Sequence, residues 1–193
     1  MTDPDPAIGL GQIQAADPDF DVSAFLAQAG KSLFAVKSAL QAKEPAEMRD
    51  LVSDSVYDDL RSDIMSLDAR GAVHNYDLLD IRQSSVAAAE RTGSGDNITV
   101  LFQCVAMQYT MSEDDNPDAI QMPPVMPFSE YWTFSRPAGA STAAQVRPEC
   151  PICGAPIDID TGRICRYCRT LLPPPRQQTG WTVVAIAPAA QNA

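Results

Sequence analysis

Hydrophobic positions repeat with a helical period in the first third of the chain. One stripe steps by three or four residues and consists of Val22, Leu26, Ala29, Leu33, Val36 and Leu40. This spacing predicts an amphipathic helix of about 20 residues, with Asp19 or Asp21 as its N-cap. Pro45 suits the first position of a short helix. A second long amphipathic helix is predicted from Ser53 or Asp54 to Gly71, where glycine suits a left-handed C-terminal cap.

After Gly71 the pattern changes to that of β-strands. The pattern predicts two strands, at residues 75–90 and 98–111. A Gly-rich turn joins them, so the two strands are expected to form a hairpin. Both faces of the second strand are apolar over much of its length, which is typical of a central strand. One face is expected to meet the helices, and the other requires a different cover. Further strands are predicted at 128–134 and 181–187.

Three segments lack periodicity. Residues 1–16 are rich in Pro, Gly and Ala and predict a flexible tail. Residues 137–147 and 171–178 predict linkers on either side of a cysteine module, defined here as residues 148–170. The predicted α+β domain therefore comprises residues 17–136 and 179–188, and the module is inserted between two neighbouring strands of one sheet.

Composition limits the class of protein. The 193 residues are 45% apolar, which argues against a chain that is disordered throughout, although the formal net charge is -11. No run of about 18 apolar residues predicts a membrane span, and the N-terminus lacks the features of a secretory signal. We therefore expect a cytoplasmic protein. A sequence pI near 4.3 argues against a broad electrostatic grip on nucleic acid or anionic lipid.

The strongest chemical signal is a C-x2-C-x11-C-x2-C arrangement. Its four members are Cys150, Cys153, Cys165 and Cys168. Two such pairs supply the four tetrahedral thiolates of a structural zinc site, and a full thiolate shell leaves no open position for catalysis. Iron and a redox dithiol are the alternatives. Because so short a module has almost no core, zinc is expected to supply its folding free energy, on the order of 10 kcal/mol.

Other candidate residues carry weaker signals. His74 is the single histidine, so no multi-histidine metal site can form within one chain. With Asp77 or Asp80 it offers an acid/base pair, although a histidine at the surface or at a strand start is the simpler interpretation. Cys104 is predicted to be a small buried hydrophobe. Trp132 is interpreted as a core anchor, as is Trp181.

Three segments resemble a known family. DPDFDVSAFL (17–26), FSEYWTF (128–134) and GWTVVAI (180–186) resemble the Tim44-like domain, which forms the C-terminal part of a mitochondrial inner-membrane import-motor subunit and has bacterial relatives. The cysteine segments CPICGAP and CRYC resemble a zinc ribbon inserted in a bacterial branch of that family. The resemblance implies an α+β fold of the cystatin-like and nuclear-transport-factor-like type, with helices on a curved antiparallel sheet and an apolar pocket.

The resemblance also implies a function. Such domains bind and scaffold and are not enzymes, and the mitochondrial members contact cardiolipin-type lipid and organise a translocon with its chaperone. We therefore expect a bacterial adaptor that binds a protein segment or lipid through an apolar pocket or sheet face. The predicted interaction residues are Phe102, Met107, Tyr109, Phe128, Trp132 and Trp181. Peripheral contact with the inner face of the membrane and homodimerisation are further predictions.

Two alternative functions stay open at this point. One is a small-molecule enzyme of the same fold that uses His74 as its acid/base. The other is a nucleic-acid-associated zinc ribbon, because residues 147–176 carry five arginines against three carboxylates, whereas the rest of the chain is strongly acidic. Nucleic acid is the less favoured partner, because four metal-bound thiolates offset those arginines.

Overall fold

The computed structural model describes residues 5–112, 115, 122–142, 153, 155, 165–169 and 180–189. Within these ranges three α-helices precede a four-stranded sheet. The elements are α1 (Pro6–Ala16), α2 (Val22–Ala42), a 3-10 helix (Pro45–Met48), α3 (Asp54–Asp68), β1 (Ala72–Arg91), β2 (Gly95–Ser112), β3 (Met126–Pro137) and β4 (Thr182–Pro188). The predicted α+β class, with N-terminal helices packed on an antiparallel sheet, is confirmed.

The two long predicted helices form close to their expected bounds, and their caps explain where they begin. The Asp21 carboxylate accepts a hydrogen bond from the backbone N–H of Ala24 at 2.7 Å. The Ser53 hydroxyl accepts one from Val56 at 3.4 Å. Each bond satisfies an N–H group that has no partner within the helix. Gly71, just beyond α3, has the predicted left-handed conformation with φ 60°.

The sheet is an antiparallel meander with strand order β1-β2-β3-β4. β1 and β2 form the predicted hairpin, in which Ala72 is opposite Ser112 and Arg91 is opposite Asp96. β2 also pairs with β3, so the prediction of a central second strand is confirmed. Because β3 pairs with β4, the cysteine module lies in the connection between two neighbouring strands.

Helix α1 occupies most of the segment that was predicted to be a flexible tail, so that prediction is wrong for residues 6–16. Asp5 caps the helix, and its carboxylate accepts from Ala7 at 2.9 Å. Gly9 and Ile13 are buried against the rest of the domain. A Cβ atom at Gly9 would lie 1.9 Å from the carbonyl oxygen of Ala89, so only glycine lets the helix approach β1 this closely.

The core lies between the helices and one face of the sheet. Alternate positions of β2 point into it, and the buried set there is Ile98, Val100, Phe102, Cys104 and Ala106. β3 adds Trp132 and Phe134, which are 0% and 2% exposed. The Phe25 ring of α2 packs edge-on against Phe134, with 5.5 Å between ring centroids. Helix-facing side chains thus fill the interior.

A buried ion pair joins α2 to β3 within this core. The Lys37 ammonium, whose side chain is 7% exposed, lies 2.7 Å from an oxygen of Glu130. The other Glu130 oxygen accepts from the indole N–H of Trp132 at 2.9 Å. Both carboxylate oxygens therefore have partners, which offsets the cost of removing the charges from water.

A second buried group of charges, the Arg136 cluster, consists of Arg136, Asp17, Asp96 and Arg91. Arg136 donates from Nη1 to Asp17 at 2.6 Å and from Nε to Asp96 at 2.8 Å. Arg91 donates to the second oxygen of Asp96 at 2.8 Å. The Arg136 Nη2 group has no hydrogen-bond partner in the described part of the chain. The cluster ties the α1–α2 connection to the ends of the central strands.

The Arg136 cluster also holds both ends of the inserted segment. Thr142, which follows β3, donates to Asp17 from its backbone N–H at 3.0 Å and from its hydroxyl at 2.8 Å. Trp181, just before β4, lies with its ring 4.8 Å from the Arg136 guanidinium. Burial alone would raise the pKa of Asp17, but hydrogen bonds from Arg136 and Thr142 hold that pKa below its ordinary value.

Candidate functional site

The cysteine module contains a tight turn over residues 165–169. The backbone N–H of Arg169 donates to the carbonyl of Cys165 at 2.9 Å, and Arg169 has the left-handed φ of 57°. Such a turn directs two sulfurs of a C-x2-C pair towards one point. The Sγ atoms of Cys153, Cys165 and Cys168 all lie within 4.8 Å of one another.

The sulfur geometry fits a tetrahedral metal ion. Thiolates bound to zinc at about 2.3 Å stand about 3.8 Å apart in a tetrahedron. The Sγ atoms of Cys153 and Cys165 are 3.8 Å apart. A disulfide bond would require about 2.05 Å, and neither cysteine is in one. Cys150, the predicted fourth ligand, lies outside the described residues, so three of the four predicted ligands are brought together.

The three described sulfurs differ in their access to solvent. Cys165 is 2% exposed, Cys168 is half-buried, and Cys153 is exposed. Around them, Arg166 and Arg169 are exposed, and the Tyr167 ring is 68% exposed. The cluster therefore has one shielded and one open side. The cysteine spacing did not predict this asymmetry, because spacing alone does not specify burial.

The second candidate site is the sheet face that turns away from the helices, here called the open face. Strand pairing places on it alternate residues of the three strands β2, β3 and β4, from Asn97 to Met111, from Pro127 to Ser135, and Ala185 with Ala187. No helix or strand among the described residues covers this face. Tyr131 on it is 37% exposed, and Leu101, Val105 and Met107 are half-buried.

The open face is free of charge along those three strands. In the described part of β2, β3 and β4, every charged side chain points to the helix side: Asp96, Glu130 and Arg136. The open positions carry threonine, serine, asparagine, glutamine and apolar side chains, and the hydroxyls of Thr99 and Thr133 are 3.0 Å apart. The same side of β1 carries Asp77, Asp80 and Glu90, so the neutral surface is limited to the other three strands.

Three of the six predicted interaction residues lie in the core. Phe102 and Trp132 are 0% exposed, and Trp181 is 7% exposed. The prediction that they line an accessible pocket is wrong, because side chains from α2 fill the space above them. The interpretation of the two tryptophans as core anchors is confirmed.

The other three predicted residues lie nearer to the surface. Phe128 is half-buried on the helix side, with its ring 5.8 Å from the Lys37 ammonium. Met107 and Tyr109 lie on the open face. The Tyr109 hydroxyl donates to Asp77 at 2.6 Å. The predicted set is therefore divided between the two faces of the sheet and does not form one pocket.

A groove that was not predicted lies between α2 and β1. Its cavity volume is ≈ 480 Å³, and its lining is Ser23, Leu26, Ala27, Gly30, Lys31, Phe34, Ile81 and Ser84. Phe34 is 43% exposed at its rim. Gly30 keeps the helix close to the strand, since a Cβ atom there would lie 3.3 Å from Ile81. Local patterns did not predict the groove, because it depends on the spacing between two elements.

His74 does not form the suggested acid/base pair. Its Nδ1 atom lies 3.1 Å from the Thr110 hydroxyl, and its ring packs edge-on against Tyr76 with centroids 4.7 Å apart. Burial lowers the pKa of His74, and the nearby positive charge of Lys37 lowers it further. His74 is not among the residues that line the α2–β1 groove.

The two aspartates proposed as partners of His74 are engaged elsewhere. The Asp77 carboxylate accepts from Gln41 at 3.3 Å and from Tyr109 at 2.6 Å. Asp80 forms an ion pair with Arg82 at 3.2 Å. The described geometry thus provides no carboxylate that orients the His74 ring.

Comparison with protein families gives one match. The model of the Tim44-like domain matches residues 7–145, which is more than half of the chain and includes α1. The match ends before the cysteine module, so membership in a bacterial branch with an inserted ribbon stays a prediction. No curated protein matches this chain.

Comparison with solved structures supports the same fold. The crystal structure of the intermembrane space region of the chloroplast protein ARC6 is similar, with a TM-score of 0.50 and 9% sequence identity. The alignment covers 90% of this chain and 100% of that one. At this identity the likeness concerns the fold alone. No helix in the described ranges is long and apolar enough to cross a bilayer.

Proposed function

Because this chain belongs to the Tim44-like domain family, we propose that it is a non-enzymatic adaptor that binds a protein partner through its open face. The observation that carries the proposal is the surface of β2, β3 and β4, which no described helix or strand covers and whose described open positions carry no charge. Depletion of charge and enrichment of apolar and tyrosine side chains are typical of the centre of a protein–protein interface. Met107 and Tyr131 are the contacts expected to contribute most.

The lack of charged side chains at the described open positions of β2, β3 and β4 favours a protein partner over nucleic acid or anionic lipid. Binding of nucleic acid or of anionic lipid requires clustered lysine and arginine side chains. The described open positions of β2, β3 and β4 supply none. A neutral protein surface, by contrast, can approach without like-charge repulsion. A second copy of the chain is one such partner, because both copies would present the same neutral surface of β2, β3 and β4.

The cysteine module, in the same proposal, is a second interaction element braced by a structural zinc ion. The support is the 3.8 Å separation between the Cys153 and Cys165 sulfurs, which suits a tetrahedral thiolate site. Zinc bound by Cys150, Cys153, Cys165 and Cys168 would have a complete coordination shell. Its contribution is then to folding and not to catalysis.

Two charge insertions on opposite sides of the domain test the role of the open face. Tyr131→Glu places a charge on the open face, and Phe34→Glu is its matched control, since both rings are similarly exposed. Sedimentation velocity measures self-association, and cross-linking to co-purifying proteins measures binding of other partners. We expect Tyr131→Glu to reduce both, and Phe34→Glu to leave them unchanged.

Three results would contradict this assignment. Equal association of both variants and the parent chain would remove the open face from the binding site. Loss with Phe34→Glu alone would transfer binding to the α2–β1 groove. Binding to phosphatidylglycerol vesicles that Tyr131→Glu abolishes would replace the protein partner with lipid.

Metal content tests the zinc assignment separately. Protein purified without oxygen should contain one zinc ion per chain by atomic spectroscopy, and Cys165→Ser should lose it. A stoichiometry far below one, or the visible absorption of an iron–sulfur centre, would overturn the assignment.

One observation favours a second candidate, which is contact between the cysteine module and single-stranded nucleic acid. The Tyr167 ring is 68% exposed and lies beside the exposed Arg166 and Arg169. Aromatic rings next to cations stack on bases and contact phosphates. A salt-dependent mobility shift of a single-stranded oligonucleotide, abolished by Tyr167→Ala, would support this candidate, and the absence of any shift at low salt would exclude it.

A further inference from the structure

We propose that Cys153 and Cys165 form a peroxide-sensitive pair, and that their oxidation to a disulfide releases the metal ion from the cysteine module. The inference rests on the metal site of the proposed function. It goes beyond that function by assigning a modification site, and it makes the fold of the module depend on the redox state of two sulfurs.

The geometry of the pair supports disulfide formation. The two Sγ atoms are 3.8 Å apart, so a bond of about 2.05 Å requires an approach of about 2 Å. Neither of the two cysteines belongs to the apolar core of the α+β domain. A movement of this size can therefore occur without displacing the core of the α+β domain.

Differences in burial assign a role to each sulfur. Cys153 is exposed, so an oxidant in solution reaches its thiolate directly. Cys165 is 2% exposed and adjacent, which suits a resolving thiol that attacks the oxidised sulfur of its neighbour. Reactive redox cysteines have this combination of an accessible thiolate and a nearby second thiol.

Cys104 is an internal reference for the same chemistry. It is 2% exposed in the middle of β2, and burial raises its pKa to about 11, with a smaller contribution from the negative charge of Glu130. A protonated and inaccessible thiol does not react with peroxide. The chain thus contains one inert cysteine and one reactive cluster.

The reaction balances with hydrogen peroxide as the oxidant. The Cys153 thiolate attacks one peroxide oxygen, the O–O bond breaks, and a sulfenic acid and hydroxide form. The Cys165 thiolate then attacks the sulfenic sulfur, an S–S bond forms, and a second hydroxide leaves. The two thiolates lose two electrons, peroxide gains them, and protons from the buffered solution convert the two hydroxides to water. Two fewer thiolates then remain to hold the metal ion, whose charge is unchanged.

The backbone of the module gives this release a structural consequence. Arg169 has a left-handed φ of 57°, a conformation that is unfavourable for a residue with a side chain. Metal ligation by Cys165 and Cys168 would hold that turn in place. Once the ligands are lost, the turn is expected to relax and the exposed Tyr167 surface to lose its fixed position.

The experiment uses the full chain, purified without oxygen and loaded with zinc. Hydrogen peroxide is added in steps, released zinc is measured with a chromophoric chelator, and disulfides are identified by peptide mass spectrometry without reduction. We expect one equivalent of zinc released per Cys153–Cys165 disulfide. Dithiothreitol and added zinc should reverse the change, and Cys104 should stay reduced throughout.

Two variants sharpen the result. Cys153→His keeps a metal-binding side chain but removes the exposed sulfur, so it should retain zinc when peroxide is added. Cys104→Ala is the matched control and should release zinc as the parent chain does.

The contrary outcomes are distinct. Zinc that is retained while peroxide is consumed, a disulfide between other cysteines, or release from Cys153→His at the rate of the parent chain would each overturn the inference alone. A chain that contains no metal before peroxide is added would instead overturn the metal site of the proposed function, and with it the release of metal.

Discussion

The α+β domain and the cysteine module hold their shapes by different physical means. The domain has a continuous apolar core, in which Leu33, Ile98 and Trp132 are 0% exposed, together with two buried groups of charges. Among the described residues of the module, Cys165 alone is buried, and it is not part of that core. Packing therefore stabilises the first region, and metal ligation is proposed to stabilise the second.

If the proposed metal site is correct, one chain combines a domain stabilised by packing with a module whose fold depends on metal. The two regions meet at the Arg136 cluster, where Thr142 and Trp181 hold the ends of the inserted segment. Because those contacts belong to the domain, we expect the attachment points to stay in place when the proposed metal is removed. Perturbations of one region are thus expected to leave the other largely intact.

Metal removal should have the largest effect, and it should be confined to the module. Chelation removes on the order of 10 kcal/mol of folding free energy from a metal-dependent unit of this size. Amide hydrogen exchange should show loss of protection at residues 165–169, with protection in β2 and β3 preserved. Loss of protection throughout the sheet would show that the regions are not independent.

Removal of one partner from the Arg136 cluster should have the largest effect on the domain. Arg136→Met leaves the carboxylates of Asp17 and Asp96 buried without their main partner, which costs about 3–5 kcal/mol. Arg82→Met is the matched control, because its ion pair with Asp80 is exposed and contributes at most about 1 kcal/mol. Urea unfolding measures both variants. Similar losses of unfolding free energy in Arg136→Met and Arg82→Met would contradict the expectation that the buried ion pairs contribute more than the exposed one.

Two glycines of α1 are expected to differ in how substitution by alanine changes the stability of the domain, with smaller effects than at Arg136. Gly9→Ala places a Cβ atom against the Ala89 carbonyl and should cost about 1–3 kcal/mol through displacement of the helix. A Cβ atom at Gly11 meets nothing within 4 Å, so Gly11→Ala should gain about 0.5–1 kcal/mol from helix propensity. Thermal unfolding measures both. Stabilisation by both substitutions would show that α1 does not pack on β1.

The smallest predicted effect is a pH dependence from His74. Its pKa is lowered in the folded state, mainly by burial, so the unfolded chain binds the proton more readily. Above about pH 6.5, the ordinary histidine pKa, His74 does not change the free energy of unfolding. As the pH falls below that value, His74 lowers the free energy of unfolding. His74→Gln should flatten the dependence of unfolding free energy on pH between about 5 and 7. If the pH dependence of the unfolding free energy is the same in His74→Gln as in the parent chain, His74 is not its cause.

Local pattern was sufficient for most of the secondary structure. The stripe from Val22 to Leu40 predicted α2 because an amphipathic helix must bury one side. The apolar side chains on both faces of residues 98–111 predicted a central strand. Helix α1 was missed because it makes its closest contact through the backbone at Gly9, and a residue without a side chain leaves no hydrophobic signal.

Of the candidate sites, the cysteine cluster was predicted correctly and the accessible pocket was not. The spacing of Cys153, Cys165 and Cys168 predicted a sulfur cluster, because C-x2-C pairs are short enough for local geometry to join their sulfurs. The accessible pocket was predicted wrongly, because the strand pattern shows that Phe102 and Trp132 are apolar but not which face the helices cover.

Local sequence patterns thus specified α2, α3, the four strands and the cluster of Cys153, Cys165 and Cys168, since each depends on residues close together in the chain. Tertiary structure alone decided which sheet face stays open, how α1 docks and how Arg136 meets Asp17, 119 residues away. These features depend on contacts between distant segments, whose partners are selected by the packing of the whole domain and not by local spacing.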